Sequence, residues 1–140
     1  MVQSPPALAR FIDHTQLKPT ATARMIETLC DEAVRHGFFS VCVNPRYVPL
    51  AVERLAGAQS VVCTVVGFPL GATSARVKAL ETEWCVAAGA REIDMVIAQG
   101  PLLAGDDDAV TQDIRAVVEA AQGALVKVIL ETAALDAAAI

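Results

Sequence analysis

Asp13, Asp94, Lys127 and Glu131 each interrupt or border an otherwise apolar, β-branched run. An ionisable group in such a place needs a partner or a wetted cavity. Strand alternation puts Glu92, Asp94 and Val96 on one face, and Lys127, Ile129 and Glu131 on one face of a later strand. If those strands are neighbours, Asp94 and Lys127 pair. Spacing alone admits two outcomes: an ion pair that only fixes strand register, or a proton-relaying carboxylate beside a lysine with a shifted pKa. A desolvated Lys127 is also a candidate amine nucleophile.

Other polar groups sit at strand ends. His14 and Thr15 follow the first apolar run, the end that binds substrate in barrel enzymes, although a polar strand end is also commonplace. Cys42, within Val41-Cys42-Val43, is either simple packing or a thiol at the mouth of a site. Gly67-Phe68-Pro69-Leu70-Gly71 is a tight strand-to-helix turn or a cradle of backbone N–H groups for an anion; it lacks the lysine and hydroxyl residue of a P-loop. Arg46 is a solvated helix-start residue or a phosphate contact. With two histidines in the chain, no Ser-His-Asp arrangement emerges.

The elements that must position these groups alternate between strand and helix. Phe11–His14 reads as a first strand. A helix capped by Thr20 or Thr22 then presents Ile26, Leu29, Cys30, Ala33 and Val34 on one face and ends at Gly37. Phe38–Asn44 reads as a second strand, and Pro45 opens a helix that buries Val48, Val52 and Leu55. Ser60–Val66 is a third, strongly β-branched strand. The helix after it, capped by Thr73 or Ser74, has a predicted buried stripe of Val77, Leu80, Trp84 and Ala88. Glu92–Ile97 and Leu125–Glu131 are the fourth and fifth strands. The helix between them places Asp106, Asp107 and Asp108 at its N-terminus, where the helix dipole favours them, and offers Val110, Ile114, Val117 and Val118 to the core. A further helix is expected from Asp136.

Near-continuous apolar strands joined by helical crossovers imply parallel pairing and an α/β fold. An open flavodoxin-like sheet and part of a (β/α)8 barrel share this local grammar. The chain has 140 residues, 54% of them hydrophobic, enough for one core. Its 11 basic and 16 acidic residues give a net charge of −5 without a basic cluster, which disfavours a nucleic-acid partner. Cys30, Cys42, Cys63 and Cys85 lack CxxC or Cys/His spacing and read as reduced core residues rather than metal ligands. No apolar run reaches the roughly 18 residues of a spanning helix, and no membrane partner is expected; a cytoplasmic location is.

Five segments in order, Ile12–Pro19, Val41–Pro45, Val65–Gly71, Glu92–Ile97 and Lys127–Thr132, resemble deoxyribose-phosphate aldolase over Leu8 to Leu135. The resemblance implies a (β/α)8 TIM barrel and class I aldol chemistry through a lysine Schiff base, without metal or other cofactor. The substrate implied is 2-deoxyribose 5-phosphate, cleaved to acetaldehyde and glyceraldehyde 3-phosphate. It further implies Asp94 as proton-relay carboxylate, Lys127 as a neighbouring site lysine, Asp13, Thr15 and Leu17 lining the substrate site, and Cys42 as a site-proximal thiol. The family's Val-Lys-Thr-Ser-Thr-Gly-like segment with the Schiff-base lysine, and the Lys-Ala-Ser-Gly-Gly-like segment after it, have no counterpart here. About five strands fill the chain, whereas a complete barrel needs about 250 residues. Residues 1–140 are therefore expected to form a single incomplete barrel domain, impaired in catalysis alone. Its open edges favour a homo-oligomer or a complementary barrel fragment as partner. The competing expectation is a non-catalytic, self-associating half-barrel module.

Overall fold

The computed structural model describes residues 8–136. A short 3-10 turn, Leu8–Phe11, precedes five strands: β1 (Asp13–Gln16), β2 (Ser40–Val43), β3 (Val61–Val66), β4 (Glu92–Val96) and β5 (Leu125–Ile129). Between them lie α1 (Ala23–His36), α2 (Val48–Arg54), α3 (Ala75–Ala87), α4 (Gln99–Leu103) and α5 (Asp107–Ala120). All strands are parallel and the sheet order is β1-β2-β3-β4-β5, so every neighbour in space is the neighbour in sequence. The helix expected from Asp136 falls outside the described residues.

Local chemistry accounts for the boundaries. The Thr22 side chain accepts the Met25 N–H at the start of α1, and Gly37 ends that helix at φ 67°, a left-handed conformation that glycine adopts without a Cβ penalty. Asp106 caps α5 by accepting the Ala109 N–H. The first strand begins two residues later than expected, because Leu8–Phe11 turns as a 3-10 helix and Phe11 stays exposed.

The sheet is curved. Laid flat, β1 and β5 would stand four strand spacings, roughly 19 Å, apart. Lys127 of β5 nevertheless donates a hydrogen bond to Asp13 of β1 at 2.7 Å. Curling the sheet around a concave face is what brings these two side chains together, and the described fold is the five-stranded part of a (β/α)8 barrel. Alternation then sorts the side chains. Val41, Val43, Val62, Val66, Ile93 and Met95 join Ile26, Leu29, Cys30, Ala33 and Val117 in a helix-side core. Cys42, Cys63 and Val65 form a smaller cluster on the other face, with Leu17 and Ile129 packed against it.

Helix α3 departs from its expected orientation. Val77, Leu80 and Trp84 are about half exposed, and Lys78, Thr82 and Cys85 are buried instead. The two stripes lie one residue, about 100° of helix, apart. The inward one is anchored by Lys78, whose Nζ donates to Asp113 Oδ2 of α5 at 2.6 Å and to the Val96 carbonyl at 2.8 Å. Two further valines expected in the core, Val34 and Val118, are also half exposed.

Candidate active site

Strand parity puts Asp13, Thr15, Cys42, Cys63, Glu92, Asp94 and Lys127 on the concave face. Asp94 is the direct register partner of Lys127, and Cys42 that of Cys63. Lys127 is the centre of the cluster. Its Nζ lies 2.7 Å from Asp13 Oδ2, 3.2 Å from Asp94 Oδ1 and 3.4 Å from Glu92 Oε2. Asp13 is held from its other oxygen by the Ser40 hydroxyl, which donates at 2.6 Å. The contacts to Asp94 and Glu92 are charge proximity without hydrogen-bond alignment: both oxygens are buried and lack a hydrogen-bond partner among the described residues.

These environments set the charge states. Burial opposes the Lys127 ammonium, but the Asp13 hydrogen bond and the neighbouring Asp94 carboxylate outweigh it and raise the pKa above the ordinary lysine value. Burial also pushes Asp13 up, yet the hydrogen bonds from Lys127 and Ser40 hold its carboxyl below the usual range. Glu92 is raised, chiefly by burial, which the nearby ammonium only partly offsets. The surrounding carboxylates thus favour Lys127 as a cation over the free amine, which counts against it as a nucleophile near neutral pH. Asp94 presents an uncommitted buried oxygen beside that cation, an arrangement suited to taking up and returning a proton.

The remaining candidates are placed around this centre. Leu17 packs on the Cys42, Cys63 and Val65 cluster just past the end of β1. Thr15 is exposed and its hydroxyl donates to the Asp13 carbonyl at 2.8 Å. His14 faces the opposite way and meets Glu32 of α1 at 2.7 Å. Glu131 does not share a strand face with Lys127: β5 stops at Ile129, and Glu131 is exposed at φ 40°. In the loop after β3, the Gly67 N–H donates to the Glu81 carboxylate at 2.8 Å and the Gly71 N–H to the Gly67 carbonyl, so these donors serve a tight turn. Arg46 lies over the Tyr47 ring, 5.4 Å from its centre.

Glu92, Ser40 and Cys63 also belong to the cluster, although from sequence Glu92 is given only a shared face with Asp94, Cys63 only a core place, and Ser40 no part. Glu92 shares the parity of Asp94, which is the signal that finds it. Ser40 and Cys63 need the inter-strand register, which the linear sequence does not display.

The sequence pattern of the DeoC/LacD family aldolases matches residues 8–140. A deoxyribose-phosphate aldolase from Listeria monocytogenes serotype 4b is 58% identical over 129 residues, covering 91% of this chain and 58% of that protein. One from Mannheimia succiniciproducens is 53% identical over 131 residues, covering 94% of this chain and 58% of that protein. The tetrameric deoxyribose phosphate aldolase structure from Aeropyrum pernix superposes with a TM-score of 0.83 at 35% identity, over 92% of this chain and 54% of that one. The chain therefore spans 58% of the length of these curated relatives.

Proposed function

Because the chain belongs to the DeoC/LacD family of aldolases, we propose that it serves the class I aldol reaction that reversibly cleaves 2-deoxyribose 5-phosphate to acetaldehyde and glyceraldehyde 3-phosphate. The observation that carries this proposal is the Asp94 oxygen, buried, unbonded and 3.2 Å from the Lys127 ammonium. In the cleavage direction, an amine condenses with the C1 aldehyde and loses water. The C2–C3 bond then breaks toward the iminium as the C3 hydroxyl gives up its proton. Asp94 accepts that proton and returns it to C2 of the enamine, and water releases acetaldehyde. Lys127 keeps Asp94 and Asp13 in place and stabilises negative charge as it develops, while Thr15, Leu17 and Cys42 line the substrate side of the concave face.

The Schiff-base amine in this scheme is the one that the family resemblance implies, on a later Val-Lys-Thr-Ser-Thr-Gly-like segment outside these 140 residues. Residues 1–140 contribute one part of a single barrel domain, and the partner we propose is a second copy or a complementary barrel segment. The test is cleavage of 2-deoxyribose 5-phosphate by the chain alone and after mixing with the remaining segment of a relative. Little or no turnover is expected alone, and restored turnover in the mixture. Asp94→Asn and Lys127→Leu are each expected to lower the restored rate by about 10²- to 10⁴-fold. Undiminished turnover in Asp94→Asn removes the proposed relay. A folded mixture without turnover favours the non-catalytic, self-associating module.

A further inference from the structure

Cys42 and Cys63 stand side by side on β2 and β3, and the parity that brings Asp94 onto the same face brings a carboxylate to them. One ligand atom from each of Cys42, Cys63 and Asp94 lies within 4.8 Å of the other two. A tetrahedral zinc ion with sulfur at about 2.3 Å and oxygen at about 2.0 Å sets its ligand atoms about 3.5 to 3.8 Å apart. A contraction of at most about 1.3 Å, within the reach of side-chain torsions, would bring the three ligand atoms to that spacing.

Independent features of the pocket also point to a cation. The Glu92 side chain is 5% exposed, and its Oε2 lacks a hydrogen-bond partner among the described residues. Asp94 Oδ1 is in the same condition. One ammonium, Lys127, faces the three carboxylates of Asp13, Glu92 and Asp94, so the face carries surplus acceptor capacity and negative charge. Two soft sulfur ligands select a thiophilic ion over magnesium or calcium, which take oxygen ligands.

We propose that Cys42, Cys63 and Asp94 form a binding site for one thiophilic divalent cation of the zinc and cadmium class, with the fourth position open to water or to Glu92. Each thiol releases its proton to the solvent as its sulfur–metal bond forms, with no change of oxidation state. The bound ion competes with Lys127 for Asp94, so on the aldol reading above the site is inhibitory rather than catalytic. It is a property of these side chains and stands independently of the aldol proposal, because binding is read without substrate.

The experiment is a titration of the purified, reduced 140-residue chain with cadmium chloride in the absence of added thiol, followed by ultraviolet absorbance. A thiolate-to-cadmium charge-transfer band should saturate at one cadmium per chain and be displaced by zinc. Cys42→Ser and Cys63→Ser should each remove most of the band, and Asp94→Asn should weaken binding by about tenfold or more. Cys30→Ala, which alters a thiol of the helix-side core, should keep it. Circular dichroism checks the fold of each variant; if Cys63→Ser does not fold, Cys42→Ser and Asp94→Asn decide. Absence of the band, or a band undiminished in folded Cys42→Ser, overturns the proposal.

Discussion

Lys127 touches three acids, and they do not respond alike to pH. Asp13 is held below its ordinary pKa of 3.8, so it contributes stability that is present above that value and lost as the pH falls through its lowered folded value. Glu92 is raised above 4.5 by burial, so its contribution is full below 4.5 and is lost as the pH rises through its raised folded value. Glu92→Gln removes the buried charge while keeping the shape. At neutral pH it should be as stable as the parent or more so, by up to about 1 kcal/mol. The difference should close below pH 4.5, where the parent is protonated as well. Urea unfolding across a pH series measures this. A variant less stable than the parent at neutral pH would mean that the Glu92–Lys127 attraction exceeds the cost of burial.

Helix α3 shows where hydrophobicity misleads. Lys78 is 0% exposed whereas Leu80, two residues on, is 54% exposed. Lys78→Met leaves Asp113 buried and unpaired and should cost about 3 to 5 kcal/mol, with much of it recovered when Asp113→Leu is added. Leu80→Gln should change stability by no more than about 0.5 kcal/mol. Thermal and urea unfolding of the three variants test the orientation of the helix; the reverse ranking would place Leu80 in the core. The strands were more legible than this helix, because alternation fixes which side chains share a face once the direction of burial is known. Asp94 and Lys127 could be paired that way, and Asp13 joined them through family resemblance. Lys78 was not legible: a helical lysine is ordinarily solvated, and its partner lies 35 positions away on another helix. The association of Cys42 with Cys63 was hidden for a related reason, since spacing along the chain carries no record of the register between strands.

At the scale of the whole molecule, β1 and β5 are the outer strands of the described sheet, and each offers backbone groups on one side. Self-association is expected, and sedimentation velocity should return a mass above 14.7 kDa at micromolar concentration. A monomer at all accessible concentrations would show that these edges are otherwise protected. The sheet order has a separate consequence for how the molecule is made. Every strand pairs with the strand translated before it, so each one finds a finished neighbour waiting as it leaves the ribosome, and the sheet can lengthen at the pace of synthesis. The Asp13–Lys127 contact spans 114 residues and closes only when β5 arrives. The polypeptide thus acquires its layers one at a time, and the charged centre of its concave face is assembled by the last strand of the five.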